Sequence, residues 1–124
     1  MQFLLAVTII SGEEYELRAY TNAASALTDI PGVGSVNSLS GDQGGLGAGQ
    51  QVAANFGLGS SRTVTLVNGR RFVGSQSPVG SAGSGLAVDL NNIPSALIDR
   101  VEVLPVGGAA IYGADAIAGV MNFV

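Results

Sequence analysis

The sequence predicts an α+β domain in which short strands and short helices alternate with long Gly-rich loops. Three stretches carry that prediction. Residues 62–73, RTVTLVNGRRFV, set two β-rich runs on either side of Asn68-Gly69, the dipeptide best suited to the two positive φ angles of a type I′ turn. Residues 88–124 pack an Asn-rich turn, a short helix, an alternating strand, a Gly-Gly-Ala turn, a second short helical segment and a last strand into one run. Residues 34–61 and 74–85 are mostly Gly, Ser, Gln and Asn, with too few large apolar groups to bury a face of their own.

In chain order, residues 2–10 (QFLLAVTII) form an apolar run, β-branched toward its end, as in a strand buried on both faces. The run lacks a basic flank and is short for an export signal, so no signal peptide is visible in this chain. Ser11 offers an N-cap to a helix over 12–18, with Glu13 and Glu14 in the first turn, where the helix dipole favours anions. Thr21 or Asn22 caps a second helix, whose Ala23, Ala26, Leu27 and Ile30 lie at helical spacing, and Pro31-Gly32 stops it. Within the Gly-rich stretch, short strands are expected near 33–36 and 52–56. Gly45-x-Gly-x-Gly49 has the look of a phosphate loop, but no helical pattern follows it, so a plain glycine loop is the better reading.

In the hairpin, Val64, Leu66 and Phe72 are assigned to the core face and Thr63, Thr65 and Arg71 to the other. In the closing run Val88 and Leu90 read as a short extended piece, and Asn92 as the cap of the turn PSALID, with Pro94 near its first position. Arg100 to Leu104 alternates, with Val101 and Val103 facing inward and Arg100 and Glu102 outward. Short helical turns over 109–112 and 115–118 precede a strand over 120–124.

Composition narrows the chemistry. At 124 residues and 12.4 kDa the chain is read as a single domain, 1–124. Charged residues make up only 11% of it, against a usual ~25%. There is no Cys, His or Lys, which removes disulfides, thiolate and imidazole chemistry, the usual zinc sites, Walker A loops and Schiff bases. Net charge is −4 and the cations are Arg18, Arg62, Arg70, Arg71 and Arg100, so no nucleic-acid partner is expected. No cofactor, metal site or catalytic residue is assigned. The carboxylate pairs Asp99–Glu102 and Asp89–Asp115 fit surface positions at the ends of elements better than acid–base work. Tyr112 is read as a core residue with its hydroxyl at the rim. Arg70 and Arg71 carry two readings: contact with a partner, or a solvated hairpin arm.

Four segments, in this order, resemble the plug domain of TonB-dependent outer-membrane receptors: ASALTDIPGV at 24–33, GLGSSRTVTLVNGRR at 57–71, VDLNNIPSALIDRVEVL at 88–104 and AIYGADAIAGVMNFV at 110–124. The resemblance covers nearly the whole chain. It implies a small mixed sheet of about four strands, seated inside a barrel of about 22 strands and closing its lumen. It places Gly-rich loops at 34–51, 57–62 and 74–85 on the side that meets a siderophore, cobalamin or glycan. The polar loop residues Asp42, Gln43, Gln50, Ser60 and Gln76 are the ligand-binding candidates. Arg62, Arg70 and Arg71 are candidates for contact with the barrel or another partner, and Asn68, Gly69, Tyr112, Gly113 and Asp115 are the structural motif. The implied location is the outer membrane or periplasm. Phe56 and Pro105 stand where such plugs often carry a cation, which weakens the expected ion-pair lock to a barrel. Alone, the domain is expected not to transport. The low charge and apolar first strand also admit a second class of function, a plug-like protein that self-associates into a homo-oligomer or filament.

Overall fold

The computed structural model describes residues 7–31, 33, 37–38, 49–58, 60–75, 87–105 and 107–124. Seven strands are found among them: β1 (Thr8–Ser11), β2 (Asn37–Ser38), β3 (Gln51–Val52), β4 (Thr63–Val67), β5 (Arg70–Arg71), β6 (Arg100–Leu104) and β7 (Gly119–Phe123). Five of these form a mixed sheet in the order β1-β6-β7-β4-β5, and β2 and β3 make a separate two-stranded ribbon. The fifth strand beyond the expected four is the two-residue return arm of the hairpin. β4 and β7 are parallel and the other pairs antiparallel. Two short α-helices, α1 (Gly12–Leu17) and α2 (Ala109–Tyr112), and several 3-10 turns complete the described fold. No described helix is long and apolar enough to cross a membrane.

β7 is central, with β6 on one side and β4 on the other, so both of its faces need cover. Val120, Met121 and Phe123 are all buried. One face of the sheet presents Ile10, Val101, Val103, Met121 and Phe123 to Tyr15, Ala23, Leu27, Leu90, Ile93 and Ile98. The other packs Val64, Leu66 and Val120 under Ala116, with Leu104 and Tyr112 at the margin. Tyr112 is therefore half-buried, at the edge of the smaller core.

Local signals account for the helical pieces. Ser11 Oγ accepts from the Glu14 amide at 3.3 Å and starts α1, whose Tyr15 is buried and donates its hydroxyl to the Ala23 carbonyl at 3.0 Å. Burial pushes the Tyr15 hydroxyl pKa up, and Tyr20 beside it adds to the shift. The second expected helix is a 3-10 turn, Ser25–Asp29, which Asn22 Oδ1 caps by accepting from the Ser25 amide at 2.9 Å. Its apolar stripe is buried as expected.

Four expectations are corrected. β1 lies at the sheet edge, paired among the described residues with β6 alone, so Ile9 is 60% exposed instead of buried on both faces; residues 2–6 of the expected strand lie outside the described set. The two-residue turn pairs Leu66 with Arg71 and Val67 with Arg70, which places Phe72 opposite Thr65. Phe72 thus packs on the larger core while Val64 and Leu66 face the smaller one, and Arg71 shares their side. Leu90 opens a 3-10 turn, Leu90–Asn92, capped by Asp89 through the Asn91 amide at 3.1 Å; the next turn, Ser95–Leu97, has no side-chain cap from Asn92. The short strands of the Gly-rich stretch fall at β2 and β3, with 34–36 outside the described residues.

Candidate functional site

The hairpin and the closing run are joined on one face of the sheet. Strand register puts Ile9, Glu102, Asn122, Leu66 and Arg71 in a single row across it. At the turn, Asn68 and Gly69 both adopt positive φ, 49° and 74°. Asn68 donates its amide to the Phe123 carbonyl at 2.8 Å, and Gly69 donates to Asn122 Oδ1 at 2.9 Å. Asn122 Nδ2 in turn donates to Glu102 Oε2 at 3.0 Å, and Arg100 Nε donates to Glu102 Oε1 at 2.8 Å. The Arg100 guanidinium, and after it Asn122, holds the Glu102 carboxyl below the usual glutamate range.

At the other end of the row, Arg71 Nη1 lies 2.7 Å from Asp115 Oδ2 and its Nη2 donates to the Tyr112 carbonyl. Gly113 follows at φ 90°, a conformation that favours glycine, with room for a Cβ in ordinary contact with the same guanidinium. Arg71 thereby staples the hairpin arm to the Tyr112–Asp115 turn. Arg70 is exposed and makes no ion pair among the described residues.

A second cluster surrounds Gly119, whose φ is 123° and whose missing side chain leaves room for neighbouring backbone. A Cβ there would lie 2.4 Å from the Leu104 carbonyl oxygen, 2.8 Å from Asn55 Nδ2 and 3.0 Å from the Pro105 carbonyl oxygen. Asn55 is fully buried; its Nδ2 donates to the Ala118 carbonyl at 3.0 Å and its amide donates to Thr63 Oγ1 at 3.1 Å. Beside it Phe56 sits at φ 53°, ψ 22°, half exposed. Arg62 Nη1 reaches back to the Leu58 carbonyl at 2.9 Å.

Of the ligand candidates, Ser60 begins the turn that leads into β4, and Gln50 precedes β3. The Gln50 region is tied to the closing run, since the Gln51 amide donates to Asp89 Oδ1 at 3.1 Å and Asn91 Nδ2 donates to the Gly49 carbonyl at 2.9 Å. Asp42, Gln43 and Gln76 lie outside the described residues. Asp99 and Glu102 both face Arg100, while Asp89 caps a turn and Asp115 pairs with Arg71, so each carboxylate has a structural contact. Among the described residues no group of three His, Cys, Asp or Glu could hold a metal.

Clefts among the described residues range from about 140 Å³, beside Thr63, Arg71 and Asp115, to about 320 Å³, between Tyr15, Tyr20, Ala96 and Ile98. The larger ones reach only the lower end of the roughly 300–1,000 Å³ of a pocket that encloses an organic ligand. Sequence reasoning missed Asn55, and placed Asp89 at the end of an element without its role as a cap. Asp89 announces itself only by its place before an Asn-rich turn, and Asn55, within VAANFG, carries no local signal.

Comparisons with known proteins agree along the whole chain. The family model for the TonB-dependent receptor plug domain matches residues 1–120. The vitamin B12 transporter of Vibrio vulnificus is 33% identical over 123 residues, which is 99% of this chain and 18% of that protein. The iron-regulated outer membrane virulence protein of Vibrio cholerae is 32% identical over 120 residues, 96% of this chain and 17% of that protein. Among solved structures, a mutant ferric enterobactin receptor from Pseudomonas aeruginosa, in complex with enterobactin, superposes with a TM-score of 0.72 at 26% identity, over 99% of this chain and 18% of that one. A siderophore receptor from Acinetobacter baumannii gives 0.70 at 29% identity, over 96% of this chain and 17% of that one. The chain thus spans under a fifth of the length of these relatives.

Proposed function

Since the chain belongs to the TonB-dependent receptor plug-domain family, we propose that it closes the lumen of an outer-membrane barrel and takes part in the uptake of a siderophore, cobalamin or glycan. What supports the reading is the end-to-end match: the domain corresponds to a small fraction of each relative, and those relatives are named for vitamin B12 transport and siderophore reception. The relatives' names favour the first two ligand classes. Transport belongs to plug and barrel together.

Clefts of about 140 to 320 Å³, at most the lower end of an organic-ligand pocket, support a ligand held on the loop surface and not within the domain. Gln50 and Ser60, together with Asp42, Gln43 and Gln76, are the residues offered to it. Arg70, exposed and without an ion pair among the described residues, is offered to the barrel wall. A domain with 11% charged residues suits enclosure by another body, because little charge needs water.

The test is a chimera in which this chain replaces the matching segment of the Vibrio vulnificus vitamin B12 transporter, reconstituted in planar bilayers. Closed pores are expected, with conductance appearing when the chain is deleted. Open pores around a folded chain would end the plug reading.

A second reading, a self-associating structural protein, is favoured by one observation. Among the described residues β1 is an unpaired sheet edge with Ile9 and Val7 exposed and no charge from Thr8 to Ser11, whereas the opposite edge is a two-residue strand of arginines. Light scattering decides it: a clean 12.4 kDa monomer at high concentration rules it out.

A further inference from the structure

We propose that Asn68 is a deamidation site held in check by the fold: Asn122, aimed by Glu102, engages the Gly69 amide and so blocks the ring closure that converts Asn68 to aspartate or isoaspartate. The modification site lies in the hairpin turn and stands apart from the plug reading.

The chemistry begins with the dipeptide. Asn68-Gly69 is the one Asn-Gly pair in the sequence, and both residues are exposed at the tip of the hairpin. Since Gly69 has no side chain, nothing shields its backbone nitrogen from the neighbouring Asn68 side chain. In the reaction that nitrogen loses its proton and bonds to Asn68 Cγ, the Cγ–Nδ2 bond breaks, and the side-chain nitrogen takes up a proton and leaves as ammonia. Water then opens the succinimide at either carbonyl, giving aspartate or isoaspartate and one added negative charge. Water is the only co-reactant.

The turn withholds the attacking nitrogen. Gly69 donates to Asn122 Oδ1 at 2.9 Å, while Asn68 donates its own amide to the Phe123 carbonyl at 2.8 Å, so both tip amides are committed to β7. Which end of the Asn122 side chain faces the turn is decided by Glu102. An ionised carboxylate only accepts, so Asn122 presents Nδ2 to Glu102 Oε2 at 3.0 Å and its Oδ1 to Gly69. Arg100 Nε, 2.8 Å from Glu102 Oε1, holds the carboxylate in place. Deprotonation would set a negative Gly69 nitrogen against the Oδ1 lone pairs, and attack on Asn68 would leave Oδ1 without its donor; both oppose ring closure.

Damage at this turn would reach further than the turn. The succinimide nitrogen carries no hydrogen for Asn122, and isoaspartate adds a backbone carbon inside the two-residue turn that sets Leu66 opposite Arg71. Arg71 is the residue tied to Asp115.

The full chain is incubated at mildly alkaline pH, folded and in urea, then cut by trypsin after Arg62 and Arg70, which isolates Thr63–Arg70 with Asn68 as its one Asn. Chromatography and mass spectrometry, with a digest at time zero subtracted, follow aspartate and isoaspartate. Deamidation is expected to be slower in the folded chain than in urea by about 10-fold or more. Asn122→Ala should restore most of the lost rate and Glu102→Ala part of it. Asn55→Ala, a buried change at the far end of β4 and β7 from the turn, should leave the rate near that of the parent. Equal rates folded and unfolded overturn the proposal, as does a folded Asn122→Ala chain that deamidates no faster than the parent. Equal acceleration by Asn55→Ala and Asn122→Ala makes global unfolding the control and overturns it too. An unchanged rate in Glu102→Ala overturns the aiming by Glu102 and, where Asn122→Ala does not fold, the whole proposal.

Discussion

Gly119 and Asn55 decide how the turns meet the sheet. Gly119→Ala meets two obstacles, a φ of 123° and a Cβ within 2.4 Å of the Leu104 carbonyl oxygen, and backbone on that side cannot rotate away. We expect a loss of about 3 kcal/mol or more in urea unfolding. Asn55→Ala strips the Ala118 carbonyl of its side-chain donor in a buried site and should cost about 2 kcal/mol by the same measurement. At Phe56 the conformational strain can be isolated: Phe56→Gly should be more stable than Phe56→Ala by about 1 kcal/mol, because only glycine enters the left-handed region freely. Glu102 supplies a pH dependence. Its carboxyl is held below the ordinary value of roughly 4.3, so between the folded and unfolded values the unfolded chain binds more protons, and stability is lost as pH falls through that window. Glu102→Gln should flatten the acid limb of a stability–pH curve. Gly119, with its φ of 123°, was readable only as one more glycine among 19, because what makes it necessary is the approach of Leu104 and Pro105 from another part of the chain.

At the scale of elements, signals that depend on a few adjacent residues were legible and those that depend on partners were not. Ser11 as a cap, the Asn68-Gly69 turn and the alternation of Arg100 to Leu104 all stand in the structure. The hairpin's faces were misread because β4 lies inside the sheet, with Thr63 and Thr65 buried as fully as Val64, so alternation of residue type no longer marks which side is covered. Register settles it: a two-residue turn puts Phe72 opposite Thr65 and Arg71 opposite Leu66. β1 shows the converse, an apolar run that reads as central and lies at an edge. Arg71 then carries a role that no local pattern announces, the tie to Asp115. Both side chains are more than a third exposed, so a double-mutant cycle of Arg71→Ala and Asp115→Ala should give a coupling of only about 0.5 kcal/mol, reduced further in 1 M salt.

The whole molecule is a five-stranded mixed sheet with a core on each face, and its membership of the plug family was carried by ordered motifs more than by any single residue. The ligand side was the least legible part. Asp42, Gln43 and Gln76 belong to stretches of sequence whose composition is permissive and whose chemistry matches no shared pattern, and ligand choice in binding loops depends on how they converge. What the fold contributes is an attachment: Asp89 and Asn91 tie the segment at Gly49 and Gln51 to the 3-10 turn Leu90–Asn92 that opens the closing run. If this domain fills a barrel, electron cryo-microscopy of the chimeric receptor should show density for the sheet β1-β6-β7-β4-β5 inside the lumen; an empty lumen beside a folded chain outside it would overturn the plug reading.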